Sequence, residues 1–186
     1  MQAKMNWFGL AGGVAVMLLI VVSIFVAWWQ LLVGDSLVTA NVSPIYTNFD
    51  FIGSSFTIPL ILALNISCVI LMVVGGVAIL IYSFKPAASY SRVLLKYGYW
   101  QPMVSVILFV ASLVAIVMVV KSVWGIDVPL IGSGRTVLPA DMTQGTTVSV
   151  LMEAGFQWPF VLALIATGLC ISAKFYDRKI VPAQPS

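Results

Sequence analysis

Residues 57–83 read TIPLILALNISCVILMVVGGVAILIYS, and no side chain in this segment carries a charge. An α-helix rises about 1.5 Å per residue, so roughly 20 apolar residues cross the ~30 Å hydrocarbon core of a bilayer. This segment is longer than that minimum. It predicts a transmembrane helix.

The composition of the whole chain indicates that this segment is one of several. Hydrophobic residues make up 61% of the 186 residues and charged residues 8%, against about 45–50% and about 25% in a typical soluble protein. So few charges cannot cover the surface of a soluble domain of this size. We predict a single integral membrane domain over residues 1–186, with transmembrane helices near residues 7–33, 57–83, 101–121 and 156–175.

The positions of Lys and Arg predict how these helices are oriented. Cytoplasmic segments of membrane proteins are enriched in Lys and Arg. Here the basic residues concentrate in the amino terminus, the 84–100 loop and the carboxyl tail, whereas the opposite side has only Lys121, at the end of the third helix, and Arg135, in the 122–155 loop. We therefore expect a multi-pass protein of the plasma (cell) membrane with both termini cytoplasmic and the two long loops outside.

The two long loops have the composition of short β-strands. Val, Ile, Thr, Tyr and Phe are frequent in them, with breaks at Pro and Gly, and this pattern predicts strands near 37–42, 45–51, 135–138 and 146–152. Because an isolated hairpin is marginally stable in water, we expect the loops to pair with each other. The fold class is thus an all-α membrane protein, a four-transmembrane-helix bundle with a small β-containing extracytoplasmic cap.

A short internal repeat relates the two halves of the chain. Residues 56–64 and 156–164 share the pattern F-x-x-P-x-x-L-A-L, and each copy is expected to open a helix that descends from the outer side. The halves would then be two parallel helix-loop-helix repeats, as some transporters have, with coincidence as the alternative. Pro59 and Pro159 suit the first turn of a helix, where no amide donor is needed, and Pro102 is expected to begin the third helix in the same way.

The six tryptophans all lie at predicted helix ends. Indole rings favour the headgroup layer of a membrane, because one part is apolar and the other donates a hydrogen bond. We interpret these residues as an interfacial belt rather than as ligand-stacking groups: Trp7, Trp28, Trp29, Trp100, Trp124 and Trp158.

The sequence argues against catalysis within the membrane. The predicted spans contain no Asp, Glu, Lys or Arg at a central position, and such residues normally mark ion pathways and intramembrane catalytic sites. The chain also has no His, which excludes His-ligated haem and removes the usual ligand of zinc and copper sites. We expect no enzymatic activity, no cofactor and no metal.

Small residues and one amide are the candidate packing residues of the helices. Gly9 and Gly13 form a G-x-x-x-G pattern, and Gly75 and Gly76 are adjacent in the second helix. Glycine lets helix backbones approach closely in lipid, although the pattern leaves open whether the neighbour belongs to this chain or to another protein. Asn65 is expected to hydrogen-bond to another helix, with a substrate or pore contact as the alternative.

One modification site is suggested by the outer loops. Asn41, Val42 and Ser43 form an N-glycosylation sequon on the predicted outer side, followed directly by Pro44.

Together these features predict a non-catalytic structural or interaction protein, an accessory subunit of a larger membrane protein assembly. Its expected partners are membrane lipids and other integral membrane subunits, or further copies of itself in a homo-oligomer, and no nucleic acid. The alternative is a neutral-solute transporter or channel subunit, which the repeat suggests.

Overall fold

A computed structural model describes residues 5–34, 38–51, 54–56, 59–138 and 148–180. Within these ranges the chain forms four helices and six strands. The helices are α1 (Trp7–Phe25), α2 (Pro59–Phe84), α3 (Ser91–Trp124) and α4 (Trp158–Ile180). The strands are β1 (Trp29–Val33), β2 (Val38–Val42), β3 (Thr47–Phe51), β4 (Ser54–Phe56), β5 (Gly132–Leu138) and β6 (Val148–Phe156).

All four helices are long and apolar enough to cross a membrane. Each contains an 18-residue window with a mean hydropathy of at least 1.7. Large apolar side chains, such as Leu18, Ile70, Ile107 and Ile165, are more than half exposed on the bundle surface. Four helices of this length and composition suggest a membrane protein, as the composition of the chain does.

Hydrogen bonds tie three helix ends together at one end of the bundle. The Asn6 amide N donates to the Ser83 carbonyl at 3.3 Å, and the Asn6 side-chain Nδ2 donates to the Ala173 carbonyl at 3.0 Å. The start of α1 therefore lies beside the ends of α2 and α4. We refer to this end as the terminal end, and to the opposite one as the sheet end.

Helix α1 ends at Phe25, so the prediction of a helix over residues 26–33 is wrong. At Trp28 the backbone turns to strand pairing: its amide N donates to the Val42 carbonyl, and its carbonyl accepts from the Gln157 amide N, both at 2.9 Å. A continuous apolar run fits a buried strand as well as a helix. Only the pairing partners, distant in the sequence, distinguish the two.

Helix α3 begins earlier than predicted, at Ser91, and Pro102 lies inside it instead of in its first turn. The proline ring packs on α2 where Gly75 leaves room, because a Cβ at Gly75 would lie 2.5 Å from Pro102 Cδ. Gly125 caps the end of the helix directly after Trp124. Its φ of 66° is the left-handed conformation that glycine adopts most easily.

The strands form one antiparallel sheet in the order β4-β3-β2-β1-β6-β5. The predicted antiparallel pairing of the two long loops is indirect, because β1 lies between β2 of the first loop and β6 of the second. The sequence predictions included neither β1 nor the short β4. Only three residues separate α1 from β1, so the strand that joins the two loops follows directly after the first helix.

The two faces of the sheet differ in character, as strand alternation requires. Leu31, Val33, Ala40, Val42 and Met152 point to the bundle and share one hydrophobic core with side chains of α2 and α3, including Ile61, Leu113 and Ile116. The opposite face is exposed or half-exposed along the described strands. We refer to it as the open face.

Trp28 and Trp29 are core residues, so their assignment to an interfacial belt is wrong. Their side chains are 0% and 1% exposed. Trp28 packs against Phe109 of α3, with ring centroids 4.9 Å apart, and its Nε1 donates to Ser23 Oγ at 2.8 Å. Trp29 Nε1 donates to the Leu130 carbonyl at 2.8 Å. Trp28 therefore connects the backbone before β1 to α1 and α3, and Trp29 connects β1 to the segment between α3 and β5.

Candidate functional site

A groove with a polar wall lies on the open face, next to the last turn of α1. Its volume is about 440 Å³, within the range of roughly 300–1,000 Å³ typical of small-molecule sites. The described residues that line it are Ile24, Phe25, Val26, Ala27, Gln30, Asn41, Tyr46, Asn48 and Gln157.

A row of amide side chains across three adjacent strands forms the polar wall. Gln30 of β1 is directly opposite Asn41 of β2, and Asn41 is directly opposite Asn48 of β3. Residues paired in this way project from the same face of a sheet with Cβ atoms about 4.5–5.5 Å apart. Gln157 extends the row on the other side of β1, where its Nε2 lies 3.4 Å from Gln30 Oε1.

The turn between β2 and β3 places Tyr46 at the end of this wall. The Ser43 amide N donates to the Tyr46 carbonyl at 2.8 Å, and the buried Ser43 hydroxyl donates to the Ser23 carbonyl of α1 at 2.7 Å. These bonds fix the turn to α1. Strand β2, which carries Asn41 of the polar wall, is hydrogen-bonded to β1 on one side and to β3 on the other.

The other wall of the groove is apolar and continues into the surface of α1. Ile24 is 51% exposed and Phe25 is 76% exposed. Leu18 and Val21, further along α1, are also exposed. The groove thus opens where the lipid-facing side chains of α1 give way to polar strand residues.

The described lining of the groove is electrically neutral. None of the described lining residues carries a charge. Tyr46 is the lining residue with a titratable group, and burial raises the pKa of its phenol above the ordinary value of about 10. Carboxamides and a neutral phenol both donate and accept hydrogen bonds, which suits an uncharged polar ligand.

The four glycines singled out in the sequence lie at contacts between helices of this chain, away from the groove. A Cβ at Gly9 would overlap the Ser83 hydroxyl, and one at Gly13 would lie 2.5 Å from Leu80 Cγ, both in α2. A Cβ at Gly76 would lie 2.9 Å from the terminal methyl of Met17 in α1, and Gly75 packs on Pro102 of α3.

Asn65 is fully buried, and its hydrogen-bond partner is in the sheet rather than in another helix. Its Nδ2 donates to the hydroxyl of Thr47 in β3. The expected helix-to-helix bond is therefore corrected to a bond between α2 and β3. Asn65 Oδ1 has no hydrogen-bond partner within the described part of the chain.

Asn41, the predicted glycosylation residue, is half-buried in β2, and its side chain lines the groove. The sequon hydroxyl of Ser43 is fully buried. N-glycosylation at Asn41 stays a prediction, and a glycan there would enter the groove.

The two copies of the internal repeat share local structure but differ in their surroundings. Each runs from the last residue of a strand, Phe56 or Phe156, into a helix. However, Ala63 is exposed, whereas its counterpart Ala163 is completely buried. In the described residues, the likeness consists of a strand that ends at the Phe of each copy and a helix that begins within three residues of it.

Sequence reasoning missed most of the groove and part of the helix packing. Gln30 and Gln157 fell within predicted helices, and Tyr46 and Asn48 carried no motif. The detectable signal is alternation, since Thr39 and Asn41 are polar between apolar neighbours, but the register that aligns Asn41 with Gln30 and Asn48 was not accessible. Gly12 was also missed, although a Cβ there would lie 2.9 Å from the Cys170 backbone N.

A second polar cluster, also not predicted, lies at the terminal end. Asn6, which is completely buried, donates from Nδ2 to the Tyr82 hydroxyl at 3.2 Å, and that hydroxyl donates to the carboxylate of Asp177. Asn6 Oδ1 also accepts from the Gly9 amide N at 3.0 Å as the cap of α1. The polar groups of Asn6 and the Tyr82 hydroxyl therefore find their hydrogen-bond partners within the chain, which indicates that the cluster holds α1, α2 and α4 together.

Comparison with known proteins found no matching family model and no similar curated protein.

Proposed function

We propose that this protein is a non-catalytic interaction protein, an accessory subunit of a larger membrane protein assembly. The observation that carries the proposal is the open face of the sheet. In β1, β2 and β6, the described side chains of one face pack toward the bundle and those of the other face are exposed or half-exposed, an arrangement that suits recognition more than transport through the bundle.

The packing of the helices supports this assignment. The close contacts at Gly9, Gly12, Gly13, Gly75 and Gly76 are all made to other helices of the same chain. Because these five glycines are covered by the chain itself, we expect a partner to contact the exposed side chains of the helices or the sheet.

The part of the open face formed by β5 and β6 has the character of a protein contact. Ile131 is 71% exposed and Leu151 is 48% exposed, with exposed Arg135 and Glu153 nearby in the sheet register. An apolar centre with charged surroundings is typical of protein interfaces. Strand β5 also lies at an edge of the described sheet, where a partner strand can add.

The proposal places the sheet outside the cell and the termini in the cytoplasm. Lys85, Arg92, Lys96 and Lys174 belong to the turn and helix ends at the terminal end, whereas Lys121 and Arg135 lie toward the sheet. This distribution fits the enrichment of basic residues on the cytoplasmic side. We propose the plasma membrane as the location.

The parallel-repeat organisation and the related transporter interpretation remain predictions. The common strand-to-helix entry at Pro59 and Pro159 favours the repeat, but the different burial of Ala63 and Ala163 gives it no further support.

Co-purification from native membranes tests the accessory-subunit proposal. The tagged protein in mild detergent is expected to elute with a second membrane chain, and Leu151→Asp is expected to abolish this association. Tyr90→Asp makes the same type of substitution at an exposed residue of the terminal end and should retain the partner. A wild-type protein that elutes as a single homogeneous chain, or only with copies of itself, would contradict the proposal.

A further inference from the structure

We infer that the amide-lined groove binds the uncharged sugar headgroup of a membrane glycolipid. The groove is distinct from the β5–β6 surface proposed for the partner protein, so each proposal can fail without the other. Three properties of the groove favour such a ligand: its uncharged described lining, its paired hydrogen-bonding groups and its position beside exposed apolar side chains of α1.

Neutrality selects the class of headgroup. Burying an ionised group without a partner is costly, and the described lining residues offer no charge to pair with one. A phosphate or carboxylate headgroup would therefore lack a counter-charge. An uncharged, hydroxyl-rich headgroup would not need one.

The amide row matches the chemistry of sugar hydroxyls. Each carboxamide carries one acceptor oxygen and two N–H donors, and a vicinal pair of hydroxyls also offers donors and acceptors side by side. Gln30, Asn41 and Asn48 repeat this unit at the strand spacing of about 4.7–4.9 Å. Tyr46 adds one hydroxyl at the end of the row.

The apolar wall indicates that the sugar is attached to a lipid. Phe25, 76% exposed, can contact the C–H face of a pyranose ring. From the same wall, exposed Val21 and Leu18 continue down α1 and provide a path for acyl chains. A soluble sugar would use the amide row and leave this path unused.

Lipid retention in a defined bilayer tests the inference. The protein is produced in a host without N-glycosylation, since a glycan on Asn41 would occupy the groove, and intact mass verifies that it is unmodified. It is reconstituted into phosphatidylcholine nanodiscs that contain equal mole fractions of digalactosyldiacylglycerol and phosphatidylglycerol. Native mass spectrometry then measures which lipid stays bound, and we expect selective retention of the digalactosyl lipid.

Two variants and one control connect retention to the groove. The double variant Gln30→Leu/Asn41→Leu removes the two central amides and should weaken retention at least about tenfold, because each lost hydrogen bond contributes on the order of 1 kcal/mol. Tyr46→Phe removes one hydroxyl, is expected to leave folding intact, and should weaken retention a few-fold. Ser149→Ala, an exposed change elsewhere on the sheet, should have no effect.

The outcomes discriminate between sources of the ligand. Equal retention of phosphatidylglycerol would overturn the inference of a neutral sugar. Soluble melibiose is added at millimolar concentration as a competitor. If it displaced the glycolipid and bound as tightly as the glycolipid does, the inference of a membrane lipid would be overturned. Unchanged retention in Tyr46→Phe and in the folded double variant would show that the groove is not the site.

Discussion

Gly75 allows α2 and α3 to approach each other closely. A Cβ at this position would lie 2.5 Å from Pro102 Cδ and 2.9 Å from Gln101 Cβ. Gly75→Ala therefore has to separate α2 from α3, and overpacking of this kind costs about 1–3 kcal/mol. We expect a lower midpoint of thermal unfolding in detergent, measured by circular dichroism.

Gly168 provides the matched control. It lies in α4, and a Cβ there would meet nothing within 4 Å among the described atoms. Since Ala has a higher helix propensity than Gly by about 1 kcal/mol, Gly168→Ala should leave the midpoint unchanged or raise it. Equal losses in the two variants would show that close approach is not what Gly75 provides.

Asn6 combines a helix cap with contacts to two other helices. Asn6→Ala removes the acceptor of the Gly9 amide N and the donors to Tyr82 and Ala173. The cap alone contributes about 0.5–2 kcal/mol, so a clear loss of thermal stability is expected. Asn6→Ser keeps a capping oxygen and should lose less. If Ser and Ala were equally destabilising, the cap would have no measurable role.

At this scale the sequence was informative about small residues and uninformative about polar ones. The spacing of Gly9 and Gly13, and the pair Gly75 and Gly76, marked positions that the structure places between helices. Asn6 and Gln30 were overlooked. The bond from Gly9 to Asn6 is local, but the bonds from Asn6 to Tyr82 and from Gln157 to Gln30 join residues more than 70 positions apart. Local pattern contains no information about such partners.

Among the elements, the end of α3 depends on backbone conformation alone. Gly125 has a φ of 66°, and a Cβ there would meet nothing within 4 Å in the described structure. Gly125→Ala should therefore lower the free energy of unfolding by about 1–2 kcal/mol through left-handed strain. Gly125→Asn should lower it less, because Asn tolerates this conformation. Identical unfolding midpoints for all three proteins would contradict this explanation.

The attachment of the sheet to the bundle depends on Trp28. Its ring is completely buried between Phe109 and Phe160, and its Nε1 is bonded to Ser23. Trp28→Ala should destabilise the protein by about 3–5 kcal/mol and make the strands sensitive to limited proteolysis. Trp7→Ala, at a ring that is 64% exposed, should cause neither effect. Proteolytic resistance of Trp28→Ala would contradict the anchoring role.

The elements were predictable where a single physical signal dominated. Four apolar windows correspond to the four helices, and β2 and β3 lie close to the predicted segments 37–42 and 45–51. The prediction failed at Trp29–Val33, which is apolar enough for a helix but becomes the central strand β1. The pairing of β1 with β2 and β6 decided its structure, and pairing is a property of the folded chain.

At the scale of the whole molecule, the arrangement separates two kinds of surface. The helices present apolar side chains for lipid, whereas the sheet presents amides, hydroxyls and charges at one end. The groove lies where these surfaces meet, beside Phe25. Composition could indicate that both kinds of surface exist, but their junction follows from the early end of α1.

We propose that the four helices span a membrane and that the sheet and the termini lie on opposite sides of it. Labelling of single cysteines in intact cells tests this proposal. Ser133 in β5 and Lys85 after α2 are both exposed, whereas the native Cys68 and Cys170 are buried. With a membrane-impermeant maleimide, Ser133→Cys should be labelled in intact cells, and Lys85→Cys only after the membrane is opened. Labelling of Lys85→Cys in intact cells, or labelling of both variants from the same side, would contradict the account.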